Sequence, residues 1–214
     1  METTKKITVF SVIPEGISIG LKNSVSLLGA IVLYLLTIWI PYLNVGTTIA
    51  MATIPIELAK GKVFSPTFIF DAKYRKFMGE YFILIGLMIM AVYLAFLFLI
   101  IPGIVLSISW GLAVYILLDK GASPMQALRQ SNEATYGYKW TIFGVNVVVG
   151  LAIGILGGIL SLIPYLGTIL YIAVIILAIA ILLGCETVIY KKLVLDGDEK
   201  DAIASDATNK EEEL

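Results

Sequence analysis

LIIPGIVLSISWGLAVYILLDKGASPMQALRQS, residues 99–131, is the stretch that decides the fold. A Pro-Gly pair at 102–103 interrupts an apolar run, which then resumes for about one membrane-spanning length before a charged exit. Ser123-Pro124 next supplies an N-cap and a first-turn proline, and Gln126 completes a capping box. The stretch predicts the end of one membrane helix, a turn, a second membrane helix, and an amphipathic helix lying along the surface.

The composition places the chain in a bilayer. Of 214 residues, 59% are hydrophobic and 14% are charged, whereas soluble domains typically carry about 25% charged residues. Histidine is absent and Cys185 is the single cysteine, so one chain cannot assemble Ser-His or Cys-His catalysis, a histidine metal site or a disulfide. We expect no enzyme, no cofactor, no bound metal and no nucleic-acid partner.

Three long runs contain no charged residue: 23–56, 81–118 and 140–185. As single helices they would be on the order of 50 Å long or more, against a hydrocarbon core of about 30 Å, so each must fold back. Each carries a proline near its middle, beside residues that suit a turn. The sequence therefore predicts an all-α polytopic membrane protein with six transmembrane helices in three proline-turn hairpins. The approximate spans are 24–40, 43–58, 80–101, 103–119, 140–163 and 165–190, with a re-entrant hairpin over 24–58 as the alternative for the first pair.

The hairpins have the spacing of an internal repeat. Pro41, Pro102 and Pro164 are 61 and 62 residues apart, which predicts repeat units of about 7–62, 63–121 and 122–195. A surface helix is expected to open each unit. In the second unit the aromatic residues fall at i, i+4, i+7 and i+11, which is typical of an interfacial amphipathic helix. They are Phe70, Tyr74, Phe77 and Tyr81. Residues 7–20 are expected to have this role in the first unit.

The charges predict the topology. All 15 Lys and Arg residues lie on the side shared by the two termini and the two long connections, and none lies at a proline turn. By the positive-inside rule that side is the cytoplasm, so we expect a multi-pass protein of the cell membrane with both termini cytoplasmic. Residues 1–195 form the membrane domain. Residues 196–214 contain eight acids and two lysines and predict a disordered acidic tail, without which the net charge is about +5, suited to anionic lipid headgroups.

Small residues recur every four positions on two predicted spans, a spacing that lets helix backbones approach closely in lipid. They are Gly150, Gly154 and Gly158 on the fifth span and Gly103, Ser107 and Gly111 on the fourth. We expect these faces to pack inside the bundle, with an oligomer interface as the alternative.

Ionisable groups inside the membrane are functional candidates, so the depth of each acid matters. Glu57 and Asp119 are expected to be solvated end caps at the interface, because each is beside a lysine at an equivalent repeat position. Glu186 lies five residues before Lys191 and is the acid that needs a protein partner, for which Arg129 is a candidate by elimination.

The run IPGIVLSISWGLAVYILLDKGASPMQALRQSNEATYGYKWTIFG, residues 101–144, resembles the repeated signature of a broad family of uncharacterised bacterial integral membrane proteins. It is similar also to the membrane domain attached to some glycerophosphoryl diester phosphodiesterases. The matching elements are Pro102-Gly103, Trp110, Asp119 to Gly121, Ala127-Leu128-Arg129, Ser131 and Gly137. The resemblance implies a six-span module of unknown activity. The phosphodiesterase activity is not carried over, because in that family it belongs to a separate soluble domain that uses histidine. Gln130 stands where the family pattern has a second basic residue.

These observations together select Trp110, Asp119, Arg129 and Glu186 as a candidate ligand or partner site. We expect a non-enzymatic scaffold or regulatory module that engages membrane lipids, or a partner protein, at the cytoplasmic face. The alternative is a small-solute or ion transporter or channel that uses the pseudo-threefold repeat interface. A continuous polar path lined by Asn44, Asn146, Ser107 or Ser161 would favour transport, and a closed apolar interior would favour a scaffold. The sequence leaves the oligomeric state open.

Overall fold

The structure is a computed structural model that describes residues 7–163 and 165–198. Within these residues it is all-helical, with no strand. The α-helices are α1 Val9–Lys22, α2 Ser24–Thr37, α3 Leu43–Ala52, α4 Ile54–Ala59, α5 Met78–Phe98, α6 Ile100–Ser109, α7 Ala113–Lys120, α8 Pro124–Thr135, α9 Lys139–Leu160 and α10 Leu166–Tyr190. Two 3-10 helices, Pro66–Phe70 and Ala72–Phe77, precede α5, and a π-helix, Lys191–Leu195, follows α10.

Three pairs of helices pack as hairpins: α2 with α3, α5 with α6, and α9 with α10. In the first and third hairpins the second helix begins after a tyrosine with a positive φ, 68° at Tyr42 and 55° at Tyr165. Side-chain-bearing residues adopt this conformation rarely, so both turns are tightly constrained. Pro164, predicted to mark the third turn, lies outside the described residues.

The second turn lies earlier than predicted. The chain reverses at Leu99, which is extended with φ −156° and ψ 140°, and Pro102 lies in the first turn of α6 rather than in the loop. Proline is tolerated there because its missing N–H would have no helical acceptor. Gly103 of the predicted packing face lies against α5, since a Cβ on it would be 2.5 Å from the Phe96 ring.

Among the described residues, four helical segments are long and apolar enough to cross a membrane, which marks the chain as a membrane protein. They are Ala72–Phe98, Ile100–Lys120, Lys139–Leu160 and Leu166–Asp198. The number rises to five if α1 and α2, bent by 72° at their junction, count as one span. The first predicted span is shorter than expected, because the 14 residues of α2 extend only about 21 Å.

The two expected surface helices differ from the prediction. Residues 66–77 form two 3-10 helices because Asp71 is extended between them and its carboxylate accepts the Lys73 N–H at 3.0 Å. The aromatic face is thereby divided: Tyr74 is buried, whereas Phe70 is exposed.

Helix α1 packs along α10 rather than lying alone on the surface. Gly16, Gly20 and Gly184 form the contact, and a methyl group on Gly184 would overlap the carbonyl oxygen of Gly16. The Lys192 ammonium pairs with the Glu15 carboxylate beside this crossing. The backbones of two helices therefore approach closely at an α1–α10 seam, which was not among the predicted packing faces.

The prediction of internal packing was wrong for Gly150, Gly154 and Gly158. All three are exposed on α9, and a Cβ built on any of them meets nothing within 4 Å. A small-xxx-small spacing permits close approach but does not specify a neighbour, and here no described helix covers that face.

The first three residues of the predicted acidic tail are helical. Residues 196–198 continue the helix, and Asp198 pairs with Lys120 at 2.6 Å. The remainder of the predicted tail, 199–214, lies outside the described residues.

Candidate polar cavity and its charged rim

The second arm of the middle hairpin continues beyond α6 through α7, and the helix is interrupted between the two. Helix α6 ends at Ser109 and α7 begins at Ala113, so the backbone between them leaves the regular helical hydrogen-bond pattern. Ser131 of α8 spans the break: its hydroxyl donates to the Ser109 carbonyl oxygen at 2.7 Å and accepts the Leu112 N–H at 3.1 Å. Because Ser131 is fully buried, water cannot take the place of its hydroxyl group in these two hydrogen bonds.

Helix α8 is held in position for this contact by its own sequence. The predicted capping box is confirmed, with the Ser123 N–H donating to Gln126 Oε1 at 3.2 Å. One face of α8 packs against α5, α6 and α7 rather than lying flat on the surface. The buried residues of that face are Ala127, Leu128, Ser131 and Thr135.

A cavity of about 280 Å³ lies beside the break, between α6, α9 and α10. Its polar side chains are Ser107, Asn146 and Glu186, and Gly111 of the break also lines it. Among the described residues, no ion pair or hydrogen bond is formed to the Glu186 carboxylate. The remaining lining is apolar and comes from Ile108, Leu112, Ile142 and Ile189. The chain thus places an unpaired acid in an otherwise mostly apolar part of the helical body.

A second cavity of about 320 Å³ adjoins the first and shares Ile108 with it. It is an apolar groove between α6 and α9. Its further lining residues are Ile101, Ile104, Val105, Lys139, Trp140 and Phe143. The Trp140 and Phe143 rings contact edge to face with centroids 6.0 Å apart. We call the two cavities together the α6–α9 cleft, which is polar at one end and apolar along the rest.

The predicted role of Asp119 as a solvated end cap was wrong. Its side chain is only 8% exposed, pairs with the Lys60 ammonium, and accepts the Tyr190 hydroxyl at 2.7 Å. These residues are at the ends of α4, α7 and α10, so the Asp119 carboxylate links three helices that are far apart in the sequence. Glu57 fits its prediction better, because it is partly exposed and pairs with Lys62 at 3.1 Å.

Arg129 is not the partner of Glu186. Its side chain is 82% exposed and pairs with Glu133 at 2.8 Å, and this hydrogen bond raises the pKa of the guanidinium. Trp110 lies in the break, half-buried, and does not line the cavity. Of the four predicted site residues, only Glu186 lines the α6–α9 cleft, together with Ser107 and Gly111 from the predicted packing face.

Asn146 completes the polar end of the cleft. Two other polar residues of the expected path lie elsewhere: Asn44 Nδ2 donates to the Ile38 carbonyl oxygen at 3.1 Å, and the Ser161 hydroxyl donates to the Gly158 carbonyl oxygen at 2.7 Å. Both are at hairpin turns and bonded to local backbone. The polar groups of the cleft therefore do not continue as a polar path to the hairpin turns.

Comparison of the chain with protein-family models, with curated proteins and with solved structures finds no match. The family resemblance of residues 101–144 therefore stays a prediction. In the part of the chain that the structure describes, no group of three His, Cys, Asp or Glu residues is arranged to hold a metal ion.

Proposed function

We propose that this protein is a non-enzymatic integral membrane module that binds a membrane lipid in the α6–α9 cleft and acts as a scaffold or regulator from the cytoplasmic side of the cell membrane. The observation that carries the proposal is the cleft itself, in which an unpaired acid adjoins an apolar groove. Lipids combine a polar headgroup with an apolar chain, so their two parts match its two ends. Each cavity is near the lower bound of about 300–1,000 Å³ for small-molecule sites.

The position of the groove supports a lipid rather than a water-soluble ligand. Trp140 is 77% exposed and Ile101 is 70% exposed at its edges, so the groove opens on the outside of the helical body. In a bilayer this outer surface faces lipid chains. A membrane lipid can therefore enter sideways without crossing the cytoplasm.

We infer that the three hairpins are copies of one unit and that the ends rich in lysine face the cytoplasm. Gly61 and Gly121 support the repeat, because they follow the second arms of the first two hairpins and have φ values of 70° and 64°. The same two arms are each broken, at Thr53 and at residues 110–112. Repeated units of this kind can pack in a symmetric arrangement in which one site is specialised for binding.

A transporter is the second candidate, favoured by one specific observation. A discontinuous helix beside a membrane-embedded acid is the arrangement in which many transporters bind their coupling ions. Against it, the cavity at Glu186 does not connect with Asn44 or Ser161 at the hairpin turns. Proton and potassium flux into vesicles containing the protein separates the candidates: the lipid-binding proposal expects no more flux than in empty vesicles.

The lipid-binding proposal is tested by filling the groove. Ile104→Trp places a large ring between α6 and α9, whereas Leu87→Trp makes the same change on an exposed part of α5. Native mass spectrometry of the detergent-purified protein counts the lipids that remain bound. We expect Ile104→Trp to reduce retained lipid at least fivefold and Leu87→Trp to leave it unchanged. Equal retention by both variants contradicts the proposal.

A further inference from the structure

We propose that the occupant of the α6–α9 cleft is a single-chain amphiphile with a protonated amine headgroup. The inference rests on the proposed lipid-binding function and specifies its ligand. The amine binds at Glu186 and Asn146, and the alkyl chain lies in the apolar groove along α6.

The charge of the headgroup follows from a contrast between Glu186 and three acids of the helical body that are paired. The Asp119 carboxylate forms an ion pair with Lys60 and accepts a hydrogen bond from Tyr190. Glu57 forms an ion pair with Lys62, and Glu15 forms one with Lys192. Glu186 is in α10, five residues before Lys191, and has no such partner among the described residues. An unpaired carboxylate in an apolar setting is costly, and a ligand cation offsets that cost through charge and hydrogen bonds.

The neighbouring polar groups agree with an amine. Asn146 supplies an amide oxygen that can accept an N–H, while the Ser107 hydroxyl already donates its proton to the Ile104 carbonyl oxygen at 2.8 Å and so offers only lone pairs. The one cation that lines the cleft, in the part of the chain described, is Lys139. It lies in the groove rather than in the Glu186 cavity, and its ammonium donates to Asn132 Oδ1 at 3.0 Å. The polar end therefore offers acceptors for an amine and no cation for an anion.

The volume of the groove accommodates one alkyl chain. A methylene group occupies about as much space as a water molecule in the liquid, roughly 30 Å³. A groove of about 320 Å³ then holds roughly ten methylene groups, which is one short alkyl chain rather than the two full-length chains of a phospholipid.

The test uses three photoreactive probes with the same ten-carbon chain, each with a diazirine near the chain end: a decylamine, a decanol and a decyl sulfate. The protein is reconstituted in phosphatidylcholine nanodiscs, irradiated with each probe, and the labelled peptides are mapped by mass spectrometry. We expect the amine to label α6 and α9 around Ile104 and Phe143 at least tenfold more than the alcohol or the sulfate.

Variants then assign the selectivity to one carboxylate. Glu186→Gln should reduce labelling by the amine at least tenfold, and the charge-conserving Glu186→Asp should keep most of it. Glu80→Gln is the matched control, since Glu80 is at the start of α5 and does not line the cleft. Size-exclusion profiles identify any variant that fails to fold, and the comparison of the three probes on the unmodified protein needs no variant.

Equal labelling of the cleft by all three probes overturns the amine headgroup but leaves lipid binding in place. Amine labelling that Glu186→Gln does not reduce also overturns it. If no probe labels the cleft above the level of exposed α5, both this inference and the proposed function fail.

Discussion

Ser131 is the side chain whose removal tests the broken span most sharply. Ser131→Ala deletes one hydroxyl that both donates to the Ser109 carbonyl oxygen and accepts the Leu112 N–H. Because Ser131 is fully buried, removing its hydroxyl group does not expose these two backbone groups to solvent water.

The expected cost follows from the two backbone groups. A buried polar group left without a partner costs about 1–3 kcal/mol. The Leu112 N–H loses this hydrogen bond entirely, whereas the Ser109 carbonyl keeps a longer contact with the Thr135 hydroxyl at 3.4 Å. We therefore expect Ser131→Ala to lower the free energy of unfolding by about 2–3 kcal/mol, or the melting temperature by roughly 5–10 °C.

The assay uses the single cysteine of the chain. Cys185 is buried, so a thiol-reactive dye reports the temperature at which the packing around α10 opens. Ser161→Ala is the matched control: that hydroxyl is exposed and bonds to a carbonyl of its own helix, so its loss should shift the midpoint by less than about 2 °C. Equal midpoints for the two variants would refute the account of the break.

Two further substitutions test the helix packing and the Asp119 hydrogen bond in the same assay. Gly184→Ala should destabilise the protein by about 1–3 kcal/mol, because the new methyl group overlaps the α1 backbone. Gly154→Ala, on the open face of α9, should not destabilise it, and equal effects of the two changes would place the helix contact elsewhere. Tyr190→Phe should cost about 1.5–3 kcal/mol by removing a buried hydrogen bond to the Asp119 carboxylate, and an unchanged midpoint would show that this bond contributes nothing.

Helix positions were the most predictable feature of this chain. Long apolar runs and turn residues placed the arms of all three hairpins within a few residues of the observed helices, since both signals are local. The capping box at Ser123 and Gln126 was equally predictable, because its hydrogen bond joins residues three apart in the sequence.

The errors arose where a local pattern permits two outcomes. Pro102 suits either a turn or the first turn of a helix, and the chain adopts the second. The glycines of α9 have the same spacing as Gly16 and Gly20 of α1, but only those of α1 meet a neighbouring backbone. Spacing shows that close approach is allowed, and the order of helices in space decides where it happens.

The candidate site was only partly predictable for the same reason. Glu186 was identifiable as a deep acid, and Asn146 as an amide in an apolar helix. That they line one cavity with Ser107 depends on three helices far apart in sequence. The pairing of Asp119 with Lys60 and Tyr190 is likewise a contact between hairpins that no single stretch encodes.

A structure of the protein determined in lipid nanodiscs shows directly whether the α6–α9 cleft binds a lipid. We expect one elongated density between α6 and α9, with its polar end at Glu186 and its chain beside Ile104 and Phe143. A cleft that is closed by direct contact of α6 with α9, or that is filled only by side chains, would contradict it.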